Sequence, residues 1–200
     1  MPPMPPIPAF TRNLMLACTA IFCLQLFLPL DRWLALWPLE SGRFGPWQVV
    51  TYAFLHGSMF HLFFNMLGLW MFGSELERLW GVKRYAHFLL AGVLAAAVAQ
   101  LLVTALMDSN VPTVGASGGL FALLLAFGML FPDRVIMPLF PPIPMKARTF
   151  VMVFGGLELV LGIFDYGSVA HFAHLGGMVG GYLMIRYWRR QPPFSRRRGR

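Results

Sequence analysis

Charge is scarce in this chain. Asp, Glu, Lys and Arg together fill 12% of its 200 positions, and acidic residues number only eight. A water-soluble domain typically carries about 25% charged and about 45–50% apolar residues, whereas hydrophobic residues here reach 58%. A soluble fold of this length could not hide that much apolar surface, which excludes an ordinary globular domain. Cysteine is nearly absent too. Cys18 and Cys23 stand five residues apart in one apolar stretch and so off a common helical face. With no His or Cys at ligand spacing around them, they indicate neither a disulfide nor a metal. They read as small packing residues, and no cofactor is expected. The N-terminal run Met1-Pro-Pro-Met-Pro-Pro-Ile-Pro lacks the basic region and cleavage site of a signal peptide. Its prolines predict a disordered, polyproline-like lead-in over residues 1–12.

What the chain does have is uncharged apolar length. Six stretches, 14–30, 59–74, 85–107, 115–131, 150–164 and 168–188, approach the length that crosses a hydrocarbon layer of about 30 Å. The second and fifth are short and must lean on neighbouring protein. The expected architecture is an all-α membrane protein with a single six-helix domain over 13–189. A basic tail over 190–200 follows, suited to anionic lipid headgroups rather than to nucleic acid. Orientation follows from sixteen basic residues. With both termini cytoplasmic, fourteen of them lie inside and only Arg32 and Arg43 outside, a clear case of the positive-inside rule.

Polar residues inside such spans or at their mouths are costly and mark functional sites by default. They are His56, His61, Asn65, Ser117, Glu158, His171 and His174. The second, fourth and sixth spans all run from outside to inside, and His61, Asn65, Ser117 and His174 sit near their starts. Three helices thus bring polar groups to one depth in the outer half of the membrane. His61 and Asn65, four apart, share a helical face. Ser117 opens its span within Gly115-Ala-Ser-Gly-Gly119, where glycines leave the hydroxyl unshielded and the helix start offers unpaired N–H groups. His174, Gly177 and Gly181 share a face whose small residues permit close helix approach. The chemistry implied is acyl transfer: an imidazole takes the serine proton, and N–H donors receive the oxyanion. Asn65, the Ser117 amide and His61 are candidate donors. No acidic residue looks well placed to complete a triad. Asp165 falls nine residues before His174 in an outer loop, and Glu158 falls earlier in the fifth span, so a Ser–His dyad is expected. Glu158 reads as a structural or gating residue, His171 as facing outer water, and Glu77 and Arg78 as tying down the inner end of the second span.

The pattern resembles the rhomboid intramembrane proteases over nearly the whole six-span core. It consists of His61-Leu-Phe-Phe-Asn65, Gly115-Ala-Ser117-Gly118 and Ala173-His174-Leu-Gly-Gly177, and the turn Gly73–Gly81 and the stretch Pro144–Arg148 are also similar. The resemblance implies a serine endopeptidase with Ser117 as nucleophile and His174 as base, acting on transmembrane proteins within the bilayer. It further implies an oxyanion site of Asn65, His61 and the Ser117 amide, a peripheral role for His56, and Gly115 in the serine motif. Phe121 stands where some relatives stack a tyrosine on the histidine. The long first outer loop, with Trp33, Trp37 and Trp47, would lie in the interface. A bacterial inner membrane, with the site opening outward, is the expected setting. A rhomboid-like protein that binds membrane clients without cleaving them is the competing expectation, although such proteins typically lack the serine or the histidine. A transporter would predict internal repeats, and none is visible.

Overall fold

The computed structural model describes residues 5–139, 142–164 and 170–189. The basic tail, Asp165 and the first residues of the sixth expected span lie outside the described residues. Helix α1 spans Ala9–Gln25, and two short helices, α2 (Asp31–Leu34) and α3 (Gln48–Thr51), lie in the connection that follows. Helix α4 (Met59–Gly68) runs through a π-helical turn, Leu69–Gly73, into α5 (Ser74–Leu106). Next come α6 (Ser117–Leu130), a two-residue antiparallel pair of β1 (Val135–Ile136) with β2 (Met145–Lys146), α7 (Ala147–Phe164) and α8 (Ala170–Arg189).

The helical run 59–106 is two legs. Gly81 has φ +73° and ψ 162°, outside helical geometry, and no Cβ-bearing residue enters that region without strain. The break falls between the second and third expected spans. By length and composition, Met59–Leu106 and Ala147–Phe164 can cross a membrane, and only 33% and 22% of their most apolar windows are buried. The core helices of a soluble protein would be mostly enclosed. Here Leu106, Phe60, Met152 and Leu157 stay exposed on helix faces, as lipid contact requires.

Helix α6 is the opposite case, apolar all round and buried on nearly every side, which makes it the centre of the bundle. The second leg of α5 and helix α8 press against it with backbones almost touching. A Cβ built on Gly177 would lie 2.0 Å from the Gly118 carbonyl oxygen. That approach sets the lateral distance between Ser117 and His174, each near the start of its helix.

Helix α1 begins at Ala9, so the lead-in expected to be disordered through residue 12 is helical for its last four residues. The cause is Glu77. Its carboxylate accepts the N–H groups of Phe10 and Thr11 at 3.1 and 2.7 Å and the Thr11 hydroxyl at 2.7 Å, filling the open first turn of α1. Arg78 donates to the carbonyl of Pro6 at 2.8 Å. Glu77 and Arg78 therefore do tie down this end of the helix, by gripping the start of α1. At the other end, buried Gln48 organises the connection between α1 and α4 by donating to the carbonyls of Trp33 and Arg43 and accepting the N–H of Trp37. Trp33 and Trp47 stay exposed beside it.

Substituting Gly177→Ala forces a methyl group into a backbone carbonyl, and overpacking of this kind costs about 1–3 kcal/mol or more. The variant is expected to unfold at a lower temperature than wild type in detergent micelles, whereas Gly156→Ala, facing open space, should not.

Candidate active site

Ser117 is delivered by a clamped loop. Leu36 and Thr113 exchange backbone hydrogen bonds, both of 2.9 Å, and the Gly115 N–H donates to the Tyr52 carbonyl at 2.9 Å. The Tyr52 hydroxyl in turn donates to the Val93 carbonyl on α5 at 2.8 Å. Gly115 has φ +126°, and a Cβ there would meet the His61 ring at 2.7 Å, so both backbone and space require glycine. The chain then enters α6 with Ser117 as its first residue. The preceding Ala116 offers no side-chain cap, which leaves the N–H groups of the first turn open to an incoming oxygen.

His174, on α8, reaches this serine. Its Nε2 lies 2.8 Å from Ser117 Oγ, and its Nδ1 lies 2.8 Å from Glu158 Oε2 on α7. His171 Nδ1 approaches the same Oε2 at 2.6 Å. Phe121 stacks on the His174 ring, with centroids 4.3 Å apart and planes 8° from parallel. A carboxylate only accepts, so the proton on His174 belongs on Nδ1 and a lone pair faces the serine hydroxyl. The side chains of Glu158, His171 and His174 are 13%, 15% and 17% exposed, shielded but within reach of water.

Two readings of the sequence are corrected here. Glu158 was expected to be too early in its span to meet the histidine, yet it is the third member of the row Ser117, His174, Glu158. The reason is the pairing of α7 with α8: Glu158 lies six residues before the end of α7 at Phe164 and His174 four residues after the start of α8 at Ala170, so the two share a depth. That arithmetic was available in the sequence. His171 was expected to face water, and instead it is largely buried and bonded to Glu158.

The other side of Ser117 is built on α4. Ser58 caps this helix by accepting the His61 N–H at 3.1 Å, which seats His61 in its first turn. The Gly57 N–H approaches His61 Nδ1 at 3.4 Å. With that nitrogen accepting, Nε2 carries the proton, and it lies against Gly115, beside Ser117. Asn65, one turn on and buried, donates one N–H to the His61 carbonyl at 2.8 Å and retains a second. His56 packs edge-on against His61 with ring centroids 5.2 Å apart. Gln25, unremarked in the sequence, straps this segment to α1 by accepting the His56 N–H and donating to the His56 carbonyl.

The sequence matches the family model described as Rhomboid domain over residues 43–191, a stretch that includes every site residue above except Gln25 and Leu36. It is 29% identical over 184 residues to the rhomboid protease GlpG of Yersinia pestis (strain Pestoides F). It is 32% identical over 184 residues to the rhomboid protease GlpG of Serratia proteamaculans (strain 568). Both alignments cover 89% of this chain and 62% of the relative, so the chain spans about three-fifths of the length of the curated relatives it matches.

His56 gives this region a pH dependence. Burial, helped by the nearby His61, lowers its pKa to about 4. An unfolded histidine titrates near ~6.5, so between those values the unfolded chain binds a proton that the folded protein refuses. Stability is complete above about 6.5 and is lost as pH falls toward 4. Thermal unfolding in detergent at pH 7.5 and pH 5 should show a larger loss for wild type than for His56→Gln. Equal losses would refute the assignment.

Proposed function

The chain belongs to the rhomboid family, and from that premise we propose that it is an intramembrane serine endopeptidase with Ser117 as nucleophile and His174 as general base. It is an integral membrane protein. In this reading its six helical legs cross the bilayer with both termini cytoplasmic, and the site opens to the extracytoplasmic side of a bacterial inner membrane. The observation that carries the proposal is the 2.8 Å approach of His174 Nε2, with its lone pair free, to Ser117 Oγ.

His174 Nε2 takes the hydroxyl proton as Ser117 Oγ bonds to the carbonyl carbon of a peptide bond. The carbonyl oxygen becomes an oxyanion, received by the Ser117 N–H and by the Nε2–H of His61, with the second N–H of Asn65 as a further donor. Collapse breaks the C–N bond, and His174 gives its proton to the departing amine. Water then attacks the acyl-enzyme with His174 again as base, and collapse breaks the ester C–O bond as His174 returns the proton to Ser117 Oγ. Glu158 does not take the proton. Its negative charge holds the Nδ1 tautomer and stabilises the imidazolium that forms in each half-reaction. This refines the Ser–His dyad expected from the sequence.

Substrates in this reading are transmembrane segments of other membrane proteins. A helical peptide bond is already hydrogen-bonded, so the segment must unwind locally before its carbonyl reaches Ser117. An apolar cleft of about 270 Å³ lies between α4, α6 and α7 and is lined by Phe64, Gly68, Leu120, Phe121, Phe150 and Phe154. It touches the ring that stacks on His174, which makes it the natural approach for such a segment.

The test is labelling by a fluorophosphonate and cleavage of a model single-span substrate in detergent or liposomes. Wild type should do both, Ser117→Ala neither, and His174→Ala should lose cleavage while still unfolding cooperatively. Normal cleavage by Ser117→Ala would end the proposal. For the orienting carboxylate, Glu158→Gln should lower kcat on the order of 100-fold or more with little change in KM. Glu158→Asp should recover part of that loss. A Glu158→Gln enzyme with wild-type kcat and pH profile would remove Glu158 from the mechanism.

A further inference from the structure

The hydrolysis just described uses one donor on Glu158, and the protein supplies two. His171 and His174, one helical turn apart on α8, aim their Nδ1 atoms at the same Oε2 from 2.6 and 2.8 Å, and the three donor atoms lie within 4.8 Å of one another. His171 is the unused member. Two imidazole nitrogens and a carboxylate oxygen, half-enclosed yet reachable by water, form the donor set of open zinc sites. Ligand distances of about 2.0–2.2 Å put tetrahedral neighbours roughly 3.3 Å apart. An entering ion would therefore have to widen the two carboxylate contacts by roughly half an ångström and bring the two imidazole nitrogens to a similar spacing from within 4.8 Å, within the reach of glutamate and histidine torsions.

We propose that Glu158, His171 and His174 form an inhibitory binding site for a divalent transition ion of the zinc class. The inhibition rests on the protease reading, and the binding does not. Zinc needs the Nδ1 lone pair of each histidine, so each neutral ring carries its one proton on Nε2 instead. No proton leaves the protein and none is gained. On His174 the consequence is direct, because Nε2–H then points at Ser117 Oγ as a donor and can no longer accept its proton. The ion silences the base from the far side of the ring, without touching the serine. It also neutralises Glu158 and so removes the charge that stabilises the imidazolium. Two nitrogen donors favour zinc-class ions over magnesium or calcium, which prefer oxygen.

The test uses the full chain in detergent. Zn²⁺ affinity is measured by competition with a chromogenic chelator in the Ser117→Ala background, where no cleavage enters the readout. One equivalent is expected to bind there, with affinity falling at least about 10-fold in His171→Ala and retained in His171→Cys, which keeps a ligand. Wild-type cleavage should be slowed by Zn²⁺, unaffected by Mg²⁺ and restored by a chelator. Inhibition is read as the ratio of rates with and without Zn²⁺ for each variant, so any change in basal rate drops out, and this ratio should approach one in His171→Ala. Zinc affinity unchanged by His171→Ala, or equal zinc inhibition with and without His171, would overturn the site. Zinc binding lost in His171→Ala, in a protein that never cleaves, would leave the site standing and sink the protease instead.

Discussion

Everything at the site depends on how closely two backbones can meet. Ser117 and His174 come from α6 and α8, and the gap between those helices is set where Gly177 rests on the Gly118 carbonyl, with room for no side chain. A side chain there would hold the helices apart, and an imidazole reaching from one to the other would fall short of hydrogen-bonding distance. In lipid, no hydrophobic force draws helices together, so close packing of small residues is what must hold them. The same surface that stabilises the bundle fixes the distance between His174 and Ser117, the base and nucleophile of the proposed reaction. Stability and reactivity are therefore not separable at this contact.

The second constraint is electrostatic. A carboxylate in a half-buried apolar setting must be met by donors, or it takes up a proton instead. Glu158 receives two imidazole N–H groups on one oxygen. That arrangement keeps a negative charge at the depth of Ser117 and His174, where the field is weakly screened. It also fixes the His174 proton on the side away from Ser117. Phe121 stacked on the ring face restricts the remaining freedom, the rotation of the imidazole about its own axis. Carboxylate and ring face together leave His174 one useful orientation.

Much of this was legible in the sequence, and unevenly so. Apolar length with little charge gave the helices, and shared depth on alternate spans gave Ser117, His174, His61 and Asn65 as neighbours. These signals are local and survive errors of a few residues at each helix end. Glu158 was discounted because its distance from His174 was judged along the chain. Counting back from the end of α7 and forward from the start of α8 puts it at the same depth. The start of α1 was misjudged for a different reason. Proline-rich sequence predicts disorder only while nothing binds it, and the partner here, Glu77 with Arg78, lies more than sixty residues away. Gln25 and Gln48 carried no signal, since a lone glutamine becomes a strap or an organiser only once its carbonyl partners are assembled around it.

Family membership raises the question of why this chain surrounds its histidine with a carboxylate and a second histidine when the rhomboid motifs it carries imply a serine and a histidine alone. Proton transfer from serine to imidazole creates a cation, and in a site that is only 17% exposed water solvates it poorly. A dyad must stabilise that cation with whatever water and dipoles it can reach. A fixed carboxylate does so without reorganising, which is the condition under which electrostatic stabilisation is largest. The carboxylate itself is then the costly group, and His171 offsets that cost. The arrangement carries a consequence of its own. A carboxylate flanked by two imidazoles within a turn of one another also presents the donor types that a zinc-class ion takes. A site built to keep a proton on one side of His174 is thereby open to an ion that would move it to the other.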